Sequence, residues 1–86
     1  MPSGRPAAAP CSPKSRRYRE FLARLGQARE DAGVTPAQAA LKLRKPRSFV
    51  SRCETGERRV DVLEFEDFVR LYGRVATDLL PDLLVE

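Results

Sequence analysis

Histidine is absent from this 86-residue chain and cysteine occurs only twice. Zinc sites draw on those two residue types, so a metal centre has almost no ligand supply. Two cysteines, Cys11 and Cys53, cannot build the disulfide framework of a small secreted domain. There is no Gly-rich phosphate loop, and no Ser or Cys stands beside an evident base, so neither enzyme chemistry nor a cofactor is expected. No apolar run approaches about 18 residues, and nothing has the layout of a signal peptide. The expectation is a cytoplasmic, non-membrane protein whose thiols stay reduced.

What is present is charge, unevenly placed. The net charge is +4 and the pI about 9.6. Residues 1–60 hold 14 Lys/Arg against 5 Asp/Glu, whereas residues 61–86 hold 2 against 7. The first part is suited to face anions and the second is not. A chain of this length builds one small domain and no second core, and is marginal unless its helices pack well or it dimerises. Hydrophobic residues make up 42%, enough for a globular body.

Residues 1–15 contain four prolines with small residues between them, and no periodicity survives there. They are read as a disordered, Pro-rich basic arm, with Arg5 and Lys14 leading into Arg16, Arg17 and Arg19. Such an arm either solubilises the chain or tracks a nucleic-acid backbone or minor groove. Cys11 within it is an exposed thiol on this reading.

A first helix is expected from Arg16 to Ala32, stopped by Gly33. Tyr18, Phe21, Leu22, Leu25, Ala28 and Ala32 recur at three- and four-residue steps along it. Gly26 costs about 1 kcal/mol there relative to alanine, and admits a close neighbour in return. Arg29 lies at the edge of the apolar stripe. A second helix is expected from Pro36 to Leu43, with Thr35 as N-cap and Pro36 at the first helical position.

Between Lys45 and Arg59 lies a third helix, with Pro46 favouring its start and Gly56 its end. Val50, Cys53 and Glu54 share one side, and Cys53 serves as a small apolar filler. Ser48 and Arg52 point the other way, flanked by Arg47 and Ser51. A ridge of hydroxyls and guanidinium groups suits a groove lined with bases and phosphates. Two short helices joined by a tight turn form a helix-turn-helix, whose second helix enters the major groove. A fourth helix is expected from Asp61, its cap, to Tyr72, closed by Gly73. Its apolar surface exceeds one face, so part of it is expected to meet a leucine-rich segment over residues 75–86.

Residues 18–73 resemble the phage-repressor and Cro-like helix-turn-helix (XRE) family of DNA-binding regulators. The resemblance is carried by Arg29, Gly33, Thr35, Ala40, Leu43, Pro46, Ser48, Val50, Ser51, Glu54, Gly56 and the run Asp61-Val62-Leu63-Glu64-Phe65. It implies an all-α fold, a compact four- to five-helix bundle, with a DNA-binding domain over residues 16–74. It also implies a structural ion pair between Arg29 and Glu54, locking the first helix to the recognition helix. Arg47, Ser48, Ser51 and Arg52 become the base-facing residues. Arginine prefers guanine O6 and N7, so Arg47 or Arg52 is expected to read a guanine, with phosphate clamping as the competing role. Thr35, Pro36, Gln38, Lys45, Arg58 and Arg59 are expected at phosphates.

The chain departs from the family pattern twice. Ala39 replaces a larger aliphatic residue, leaving Leu41 or Phe49 to fill the core; otherwise Phe49 is free to meet a thymine methyl. Arg44 replaces the turn glycine, so either it bears left-handed strain of roughly 1–2 kcal/mol or the turn differs. Leu79, Leu80, Leu83 and Leu84 either cover the chain's own core or form a two-fold dimer contact. The expected function is a sequence-specific transcriptional regulator. It would be a repressor, dimeric on a two-fold operator in double-stranded DNA, cytoplasmic and nucleoid-associated. The alternative is an interaction module or antitoxin that presents the leucines to a protein partner.

Overall fold

The computed structural model describes residues 15–80. Five helices follow one another: α1 Arg16–Asp31, α2 Pro36–Lys42, α3 Phe49–Thr55, α4 Val62–Tyr72 and α5 Ala76–Leu79. No strand occurs among the described residues, and the fold is all-α. α1 packs against α3, α4 and α5, while α2 packs against α3. No described helix is long and apolar enough to cross a membrane. The arm over residues 1–14 and the last residues, including Leu83 and Leu84, lie outside the described span.

The caps explain the boundaries. Ser15 accepts the Tyr18 N–H at 3.1 Å to open α1. Thr35 Oγ1 accepts the Gln38 N–H at 3.1 Å, and Gln38 Oε1 accepts the Thr35 N–H at 2.9 Å, a reciprocal capping box for α2. Asp61 and Glu64 repeat the arrangement at α4, at 2.8 and 3.2 Å. Gly56 (φ +86°) and Gly73 (φ +69°) close α3 and α4 in the left-handed conformation.

α3 starts later than its proline suggests. The Pro46 carbonyl accepts the Phe49 N–H at 2.9 Å in a separate turn, so the helix begins at Phe49 and not at Pro46. Arg47 and Ser48 therefore sit on the turn before the helix. Ser48, at φ −86° and ψ −2°, forms no side-chain cap bond.

The core gathers Phe21, Leu22, Leu25 and Ala28 of α1 around Val50 and Cys53 of α3 and Phe68 and Tyr72 of α4. Burial pushes the Cys53 thiol up to about 11, so it remains a neutral filler. Ala39 is fully buried and Phe49 is buried in the same core, its ring stacked on Phe68 with centroids 6.0 Å apart. The thymine-methyl role of Phe49 is thereby withdrawn, and so is core filling by Leu41, which is 79% exposed.

At the C-terminal side, Leu79 takes the core-covering one of the two roles left open for the leucines. Leu79 is 2% exposed, packed into the chain's own core where α5 meets α1, so it cannot be a dimer contact. Of the segment expected to meet α4, residues 75–80 are described: α5 packs on α1, Leu80 shares a cleft with Val62 and Phe65 of α4, and Val62 and Leu63 stay exposed. Leu80 is also exposed, and its carbonyl accepts the Arg24 guanidinium at 2.7 Å.

Arg44 bears the strain itself. Its φ is +59°, the only positive value among the described non-glycine residues. Its N–H donates to the Leu41 carbonyl and that of Lys45 to the Ala40 carbonyl, so the α2 end keeps the shape a glycine would give. Replacing Arg44 with glycine removes strain of roughly 1–2 kcal/mol and adds some unfolded-chain entropy. R44G is expected to raise the thermal midpoint by several degrees, read by circular dichroism; an unchanged or lower midpoint contradicts the strain.

Candidate nucleic-acid interface

Arg47, Ser48, Ser51 and Arg52 are all exposed, on one side of α3 and the turn before it. The opposite side carries Val50 and Cys53, both fully buried. Thr35, Pro36 and Ala37, where α2 begins, share an open cleft with Arg47, Ser48 and Ser51. Two segments distant in sequence thus form one concave surface. In the first turn of α2 the capping box occupies the Gln38 N–H, and Pro36 has none. The Ala37 N–H remains, at that cleft.

The cations divide into two groups. Arg24, Arg29, Arg58, Arg70 and Arg74 each hold a carboxylate. Arg47 and Arg52 on the outward side of α3, and Arg44 in the turn after α2, have no ion-pair partner among the described residues; nor do Arg17 and Arg19 of α1 and Lys42 of α2. Lys45 joins them, its ammonium 5.3 Å from the Phe49 ring centroid. Arg59 lies at the far end, 5.7 Å from the Tyr18 ring centroid. Unpaired guanidinium groups side by side repel one another and are stabilised by an anionic partner.

Arg58 differs from its neighbours. It was expected at a phosphate, but its Nη1 donates to Glu64 Oε1 at 2.9 Å and to the Arg59 carbonyl at 3.0 Å. That hydrogen bond to Glu64 raises the guanidinium pKa. The Asp-x-x-Glu spacing before an apolar run signalled the capping box at Asp61, but nothing in the sequence signalled the arginine on Glu64. The bond from the Val60 N–H to the Tyr18 hydroxyl, 3.0 Å, was likewise not legible.

The surface is held in place by Arg29 and Glu54. Arg29 Nε donates to Glu54 Oε2 at 2.8 Å, Nη2 to Oε1 at 3.3 Å, and Nη1 to the Val34 carbonyl at 2.9 Å. One guanidinium thus ties α1, the α1–α2 loop and α3 together. The hydrogen bonding to Glu54 raises the Arg29 pKa against the lowering effect of its burial. The Glu54 carboxylate lies beside Gly26, where an added Cβ would meet Oε1 at 3.4 Å, an ordinary van der Waals contact. The buried Tyr72 hydroxyl has no hydrogen-bond partner, and burial first and the Glu54 charge second raise its pKa.

A family model described as a helix-turn-helix domain matches residues 20–83. The chain belongs to that family. The match is consistent with a Cro/repressor-like helix-turn-helix domain, in which α2 and α3 form the two-helix unit. No curated protein matches the chain.

Within this helix-turn-helix domain the Arg29–Glu54 pair sets stability. The two side chains are 12% and 16% exposed, so the cost of breaking the pair from one side falls toward the low end of the buried range, about 3 kcal/mol. R29A and E54A are each expected to lose about that much in urea unfolding, with the double variant well short of their sum. Strict additivity would show that the two residues do not act on each other.

Proposed function

We propose that this helix-turn-helix protein is a sequence-specific, DNA-binding transcriptional regulator, a repressor that binds a two-fold operator as a dimer. The observation that carries this reading is the set of exposed, unpaired cations around the outward side of α3, beside the Thr35–Ala37 cleft. Arg47 and Arg52 read guanine edges in the major groove, with Ser48 and Ser51 between them. Lys45 and Arg59 neutralise phosphates, and Thr35, Pro36 and Gln38 present the start of α2 to the backbone. The protein acts in the cytoplasm, on the nucleoid, and needs no cofactor or catalytic group.

The exposed Val62, Leu63 and Leu80 support the dimer, because apolar side chains of this size gain from a second copy covering them. The same exposed side chains support the alternative reading, a protein-interaction module or antitoxin. Association with random duplex DNA separates the two. The regulator shows a steep fall of log K with log salt, about 0.9 per phosphate neutralised, and the interaction module shows no binding even at low salt. On a site selected from a random DNA pool, R47A is expected to cost about 1–3 kcal/mol and relax preference at one base pair. A loss spread uniformly over all sequences would assign Arg47 to phosphate instead.

A further inference from the structure

Arg58 touches α3 at two places and α4 at a third. Its backbone N–H donates to the Arg52 carbonyl at 3.0 Å, at the residue that carries one of the base-facing guanidinium groups. Its own guanidinium lies 5.0 Å from the Phe49 ring centroid, at the first residue of α3. The same group donates to Glu64 Oε1 at 2.9 Å, in the first turn of α4. Glu64 is 7% exposed and is fixed in turn by the Asp61 N–H at 3.2 Å.

The chemistry at each end suits arginine and not lysine. A planar guanidinium can lie against a ring and still direct an N–H at a carboxylate, whereas an ammonium is a compact point charge. If Arg58 swung out to a phosphate, Glu64 would keep one amide donor and lose its cation while buried, which is unfavourable. From this geometry we infer that Arg58 is a positioning residue, a strut that fixes the aim of α3 against α4 for base reading, and not a contact to the phosphate backbone. The inference rests on the DNA-binding reading above. It extends that reading to Glu64, a buried acid with no place on the outward surface.

The two roles predict opposite signs for one substitution. Glu64→Gln keeps an Oε1 acceptor, which serves both the Asp61 amide and Arg58 Nη1, but removes the negative charge, so Arg58 loses its ion pair and keeps only a neutral hydrogen bond. On charge alone the variant should bind DNA more tightly. As a strut partner, its loss should weaken binding. The experiment uses fluorescence anisotropy of the full chain on a duplex selected from a random pool, across a salt series. The wild type is compared with E64Q, R58K, R58Q and R58Q/E64Q, at a temperature below every variant's melting transition.

The expected result is that E64Q and R58K each weaken the selected site by roughly tenfold, the size of one lost base contact. The salt slope stays at the wild-type value, and R58Q/E64Q binds no worse than R58Q. R58K retains the charge, so it carries the comparison even where E64Q lowers the melting point. The proposal is overturned if E64Q binds as well as the wild type or better, if R58K keeps full affinity, or if R58Q lowers the slope by about 0.9. Absence of salt-dependent binding by the wild type itself would instead remove the DNA reading, and this proposal with it.

Discussion

The bidentate contact between Arg29 and Glu54 is the constraint on which the remaining geometry depends. α3 has seven residues, too few to be helical on its own. It exists because one side is buried by α1 and α2 and because a carboxylate on that side is gripped by α1. The third bond from Arg29, to the Val34 carbonyl, sets where the chain leaves α1 and therefore where α2 begins. One charged pair thus fixes the relative placement of three helices.

Much of this was legible from residue types alone. The all-α class, the capped start of α2 and the closing roles of Gly56 and Gly73 follow from local rules that tertiary packing did not override. The side-to-side division of α3 followed from spacing, because a one-residue rotation would have buried Arg52 or exposed Val50. The family resemblance supplied the partner of Arg29, which spacing could not, since the two residues are 25 apart in sequence.

The misses share a cause. Where α3 begins depended on the Pro46 turn closing on itself, and a proline signal marks a permitted start, not a required one. Leu79 was left open between the chain's own core and a dimer contact because its neighbours are leucines, and which leucine points inward is decided by how α5 meets α1. Arg58 looked like its exposed cationic neighbours, and its carboxylate partner arrives from the next helix. Each of these depends on a contact between elements, and no pattern within one element reports it.

Phe49 lies at the junction of two demands. It is the first residue of α3, it is 5% exposed, and it stacks on Phe68 deep in the domain. Interior and reading surface therefore meet within a single helical turn, with no intervening layer to absorb adjustment. The aromatic row Phe49, Phe68, Tyr72 thus runs from the interior to the residue at which the outward ridge starts. Under the proposed DNA-binding role, substitutions in that row are a route to a changed sequence preference that never approaches a base.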